Sequence, residues 1–159
     1  FVTVAKAALT PKGIASFPDG LGDGLSGEVY WGPQYPFSSS LTGQTAAELA
    51  AGYTEATGNA WLQGTGYVHA LFEVGIDILR RTSAMAPEAI VEAMNATNLD
   101  TCVGHIHWGD FAVAPNVAKT PLAGGQWQAD GKGGYDLVTT YNAPHPEIMI
   151  DGTLKPKVW

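Results

Sequence analysis

The chain is predicted to fold as a mixed α/β structure, with helices layered on a sheet, from three observations. Apolar residues recur at the helical spacing from about Thr65 to Arg81, where Tyr67, Leu71, Val74 and Ile78 fall on one face. A second helix opens with proline at Pro87, which suits a first helical position whose N–H is unpaired anyway. After Asp100 the period drops to two, with Val103, His105 and His107 alternating against Gly104, Ile106 and Trp108.

The remaining elements follow in order. Phe1 to Ala5 is β-branched and reads as a short strand. Thr10 caps a short helix that begins at Pro11 and runs to about Phe17, and Pro18 to Gly27 is a glycine-rich loop. Glu28-Val29-Tyr30-Trp31 is a second strand, and Gln34 to Gly43 an irregular connection. Thr42 is the expected cap of a helix from about Gly43 to Thr57, with Ala46, Leu49, Ala50 and Tyr53 inward and Gly58 as a left-handed C-terminal stop. The Thr65–Arg81 helix also carries Val68, Phe72, Ile76 and Leu79. It is therefore apolar nearly all round and expected to be packed on most sides, while the His69, Glu73, Asp77 stripe is expected to face solvent or a partner. Asp77 and Arg81, four residues apart, are expected to pair. Later strands are expected at Gly125–Gln128 and Asp136–Tyr141, joined by the hairpin signal Asp130-Gly131-Lys132-Gly133-Gly134, and the tail from Asn142 is extended.

Composition bounds the function. Of 159 residues, 45% are apolar and 14% charged, enough for a core and too little charge for a disordered chain. Eight basic residues against fifteen acidic ones give a net charge of −7, which leaves no basic stripe to neutralise phosphates, so no nucleic-acid partner is expected. The single Cys102 rules out an internal disulfide and reads as a small buried apolar group. No cofactor-binding glycine loop is present: Gly20-x-Gly22-x-Gly24 lacks a following helix and lysine. Ser38 to Ser40 lie outside any nucleophile elbow.

Five segments, in order, carry a resemblance. They are Gly27-Glu28-Val29-Tyr30-Trp31, Tyr35-Pro36-Phe37-Ser38-Ser39-Ser40-Leu41-Thr42-Gly43, Gly66-Tyr67-Val68-His69-Ala70-Leu71-Phe72, Pro87-Glu88-Ala89-Ile90 and Asp100-Thr101-Cys102-Val103-Gly104. Together they resemble the late part of the periplasmic solute-binding proteins of ABC transporters, of the branched-chain amino-acid type. The resemblance implies a fragment of a two-lobed type I periplasmic binding protein, with three-layer α/β lobes joined by a hinge. Residues 1–31 would belong to one lobe, 32–124 to the other, and 125–159 would return to the first. It further implies a non-enzymatic solute carrier without a cofactor. Its partners would be a small-molecule solute, an ABC permease of the inner membrane, and either the missing part of its own protein or a second copy. A sensor ectodomain built on the same lobes is a further possibility.

The ligand contacts implied by the resemblance are Trp31 at the lobe crossing and Trp61, Leu62 and Gln63 just before the Tyr67 helix, with Leu62 at the place of an apolar ligand contact. Where the family sets a carboxylate against a ligand ammonium, after the first strand, this chain has Ala5-Lys6. Lys6 suits a carboxylate or an aromatic acid. The rival reading is a metal-dependent enzyme built on His105 and His107, alternate residues of one strand and hence on one face, with Asp110 as a third ligand.

Overall fold

A computed structural model describes residues 1–4, 10–109 and 114–157. Four strands form one sheet: β1 (Val2–Thr3), β2 (Leu25–Val29), β5 (Ala123–Ala129) and β6 (Tyr135–Tyr141), in the order β1-β2-β5-β6. β1 and β2 are parallel, connected through α1 (Pro11–Ala15); the other two pairings are antiparallel. Residues from both ends of the chain thus share one sheet. Between them lie α2 (Ala46–Thr57), α3 (Gln63–Arg81), α4 (Pro87–Asn95) and a separate hairpin of β3 (Asn98–Thr101) and β4 (Gly104–His107). No described helix is long and apolar enough to cross a membrane.

Local chemistry explains most boundaries. Thr10 Oγ1 accepts the Gly13 N–H at 3.0 Å and Pro11 fills the first helical position, as expected. α2 starts at Ala46, three residues later than predicted, because Thr45 and not Thr42 is its cap. Thr45 Oγ1 accepts from Glu48 N at 3.2 Å while the Glu48 carboxylate accepts from Thr45 N at 2.8 Å, a reciprocal box that Thr42 cannot make. Gly58 ends α2 at φ 70°, the left-handed stop its sequence called for. β2 sits earlier than the predicted Glu28–Trp31, since Leu25 and Val29 supply the buried positions and Trp31 lies beyond the strand. The single strand expected after Asp100 is a tight hairpin, turned at Cys102-Val103, with Gly104 at φ 106° permitting the reversal.

The face of α3 departs furthest from expectation. Gly66, Ala70, Glu73 and Ile78 are buried, whereas Leu71 is 72% and Phe72 63% exposed, along with Val68 and Leu79. The helix turns a small and polar stripe inward and an apolar stripe outward. The reason is close approach: a Cβ at Gly66 would lie 2.3 Å from the Trp31 ring, so only glycine lets α3 seat on that indole. The expected Asp77–Arg81 pair forms at 2.7 Å and contributes about 0.3–0.5 kcal/mol. Arg81 also donates to Ala93 O at 2.7 Å, tying α3 to the end of α4.

Candidate functional site

The segment between α2 and α3 runs beside the sheet. After the Gly58 stop, Leu62 is extended (φ −120°, ψ 148°) and Thr65 Oγ1 accepts its N–H at 3.3 Å, which holds the segment as it enters α3. Gln63, almost fully buried, extends the end of β2. Its Oε1 accepts the Tyr30 N–H at 2.7 Å and its Nε2 donates to Glu28 O at 3.2 Å. One side-chain amide thereby replaces a neighbouring strand and anchors the start of α3 to the sheet.

Trp61 and Leu62 stand where three depressions meet. The most enclosed, about 40 Å³, lies between the segment and the sheet and is walled by Pro11, Trp61, Gln63, Trp127, Tyr135 and Leu137. A second, about 210 Å³, continues past Trp61 to Gln34, Asp136 and Asp151. A third opens on the far side of Leu62 towards Thr10, Lys12 and Tyr53. Binding pockets for drug-sized ligands run to about 300–1,000 Å³, so the 40 Å³ space takes a small side-chain group at most.

Of the residues singled out in the sequence, Trp61, Leu62 and Gln63 line the enclosed space together. Trp31 has no exposed surface. Its Nε1 donates to Cys102 O at 3.0 Å and its ring meets Trp61 edge-on at 6.1 Å, so it backs the Trp61 wall from inside the core. Lys6 and Asp110 lie outside the described residues. His105 and His107 share a strand with ring centroids 5.9 Å apart, but His105 Nδ1 is engaged by Asp100 Oδ1 at 2.7 Å. Among the described residues, no group of three His, Cys, Asp or Glu side chains is placed to hold a metal ion.

The sequence reading missed Pro11, Trp127, Tyr135, Asp136 and Asp151 as neighbours of Trp61. They come from four places along the chain, and no local pattern links them. It also missed the role of Glu73. This fully buried carboxylate accepts from Ser40 N, from Ser40 Oγ at 2.9 Å and from Cys102 N at 3.0 Å, pinning the 39–41 loop and the β3–β4 turn to α3. Beside it the Cys102 thiol donates to Gly66 O at 3.2 Å. Burial first, and then Glu73, push its pKa well above the ordinary thiol value, so it remains an inert thiol. The Tyr67 hydroxyl, raised chiefly by burial, bonds Thr120 Oγ1.

No protein-family model matches the chain, and no curated protein matches it. Among solved structures it is similar to the leucine-binding protein LivK from Thermotoga maritima, with a TM-score of 0.63 and 16% sequence identity over 89% of this chain. The chain spans 37% of that protein's length. Its mixed α/β arrangement is that of a fragment of a type I periplasmic binding protein.

Proposed function

We propose that this chain is part of the solute-binding component of an ABC-type importer, working in the periplasm and without enzymatic activity. The solute is a small carboxylate-bearing molecule, a branched-chain amino acid or an aromatic acid, held in the cleft between two lobes. One observation carries the reading. In a fold like that of a leucine-binding protein, the Trp61–Gln63 segment closes an aromatic-walled space against the sheet. The pairing of β2 with β5 supports assigning residues 1–31 and 125–159 to one lobe and 32–124 to the other. Trp61 and Leu62 are then the apolar ligand contacts, Trp31 and Gln63 hold them in place, and Lys6 meets the solute carboxylate. Closure on the solute presents the carrier to an inner-membrane permease.

The outward apolar stripe of α3 supports the further reading that this polypeptide is completed by more chain. The completing chain is the remainder of its own protein or a second copy, laid over Val68, Leu71, Phe72 and Leu79.

A thermal-shift screen against the amino acids and a set of aromatic acids tests the proposal. A solute that binds only the folded state stabilises it by about 2.7 kcal/mol at a hundredfold excess over Kd. A rise in Tm with leucine, isoleucine, valine or an aromatic acid, lost in Trp61→Ala, supports the reading. No shift with any of them at millimolar concentration, in this chain and in one extended to two full lobes, sinks it.

A further inference from the structure

The loop that leads into α2 is fastened to α3 through one serine. It folds back on itself: the Ser39 N–H donates to Gln44 O at 2.8 Å, the Gly43 N–H donates to Ser39 O at 2.9 Å, and Ser38 bridges Thr45. The Ser39 side chain is buried inside this turn, at 4% exposure. Its Oγ accepts the N–H groups of Leu41 and Thr42, each at 3.2 Å, and lies 2.7 Å from His69 Nε2 on α3. A hydroxyl has one proton to give and two lone pairs to receive with. The two backbone donors take both lone pairs, so the Ser39 proton points at the ring. His69 Nε2 is therefore the bare acceptor nitrogen, and the neutral ring carries its proton on Nδ1. One turn along the helix, the Glu73 carboxylate accepts from the N–H and the hydroxyl of the next loop residue, Ser40.

We infer that the His69–Ser39 contact is a proton-sensitive latch: the neutral ring holds the 38–45 loop, and the start of α2 behind it, against α3, and protonation of the ring releases them. A charged imidazole donates from both nitrogens. Its Nε2–H would meet a Ser39 oxygen whose lone pairs are spent, so the contact survives only if Leu41 or Thr42 gives up its bond. The charged ring also has a better acceptor at hand, because Glu73 stands four residues on along α3, where side chains are neighbours. The titratable groups around the ring are four. Glu73 is on its own helix, and Tyr53 is on the α2 wall of the groove that His69 lines. Glu48, at the far end of the loop, is held by Thr45, and the Cys102 thiol of the β3–β4 turn lies beyond Glu73. No lysine or arginine among the described residues lines the groove. The latch holds while the ring is neutral and is lost as falling pH charges it; imidazole is the side chain that ordinarily changes charge between about pH 5 and 8. The device needs no solute and does not depend on the proposed carrier role.

NMR of the ¹⁵N-labelled full chain tests the latch from about pH 8 down to about pH 5, the window in which imidazole changes charge. His69→Gln serves as the comparison, since its side-chain oxygen can accept the Ser39 proton and does not titrate; it also assigns the His69 ring signals by their loss. At the upper pH the ring nitrogens are expected to show a bare Nε2 and a protonated Nδ1. As pH falls, the Leu41 and Thr42 amide signals are expected to move along the same curve as the ring. Their hydrogen-exchange protection should drop by about tenfold relative to His69→Gln at the same pH, the scale of one lost hydrogen bond. A neutral ring protonated on Nε2 overturns the latch, and so does a ring that stays neutral to the lower pH. Loop amides that stay put while the ring titrates also overturn it. An equal loss of protection in His69→Gln assigns the effect to another group and overturns it as well. If His69→Gln does not fold, the wild-type tautomer and the shared titration curve still decide.

Discussion

The Glu73 carboxylate, buried on the inner face of α3, accepts the backbone N–H of Cys102 at the turn of the β3–β4 hairpin, 3.0 Å away. The same carboxylate takes both the N–H and the hydroxyl of Ser40. One side chain therefore joins three segments that have no backbone pairing with one another. Glu73→Ala leaves the buried Cys102 N–H without a partner, while the donors of exposed Ser40 turn to water. A loss of about 1.5–3 kcal/mol is expected, the scale of one buried hydrogen bond to a charged group whose donor is then left unsatisfied. Urea unfolding of the variant measures it, and a loss under 1 kcal/mol would show that the carboxylate is not the clamp.

Gly66→Ala tests the seat of Trp31. The new methyl would lie 2.3 Å from the nearest indole carbon, and Trp31 is held in place at the neighbouring Nε1 by its bond to Cys102 O. Overpacking of this kind costs about 1–3 kcal/mol. Thermal unfolding should fall, and a shifted near-ultraviolet circular dichroism band should report the displaced indole. By contrast Gly75→Ala, on the same helix with open space at its Cβ, should be neutral to stabilising, because alanine favours the helix by about 1 kcal/mol over glycine.

The exposed stripe Val68, Leu71, Phe72, Leu79 is expected to drive association of this chain with itself when nothing else covers it. Sedimentation equilibrium should show mass rising with concentration. Leu71→Lys combined with Phe72→Lys should return the chain to a monomer without lowering Tm by more than a degree or two, because neither side chain is in the core. A wild-type chain that stays monomeric at 100 µM contradicts the expectation.

Asp151 gives a pH signature. Its pKa is raised in the folded state, chiefly by burial, so the native form binds a proton more tightly than the unfolded chain does. Its ionisation therefore opposes folding: the penalty is absent below the ordinary carboxylate pKa, about 3.9, and is fully developed once pH has risen through the folded-state value. Asp151→Asn keeps an oxygen to accept the Thr139 N–H and removes the charge. It should be more stable than wild type at pH 7, with the advantage vanishing as pH falls to about 3.9. Thermal melts of both proteins at pH 7 and pH 4 check the sign; a variant less stable at pH 7 than at pH 4, relative to wild type, refutes it.

What was legible in the sequence was local. Thr10-Pro11, Gly58, Pro87 and the Asp130–Gly134 turn mark boundaries because each acts through its own backbone conformation or hydrogen bonds within a few residues. The Trp61-Leu62-Gln63 segment was singled out through the resemblance, which places an apolar ligand contact just before the Tyr67 helix. The helix cap at Thr45 was equally local and was missed for a competing threonine three residues earlier.

The facing of α3 could not be read from its own pattern. Apolar residues occupy every side of it, so periodicity does not choose a face; the choice falls to Gly66, whose missing side chain admits Trp31, and to Glu73, whose partners lie 33 and 29 residues away. The sequence by itself determined several helix starts, stops and turns, and that helices and sheet would be layered. The tertiary structure alone decided that Trp61 would meet Gln34, Asp136 and Asp151 around one space. The physical reason is that burial and hydrogen bonding reward contacts made across the chain, and a pairing such as Gly27 with Gly125 leaves no mark in the residues between.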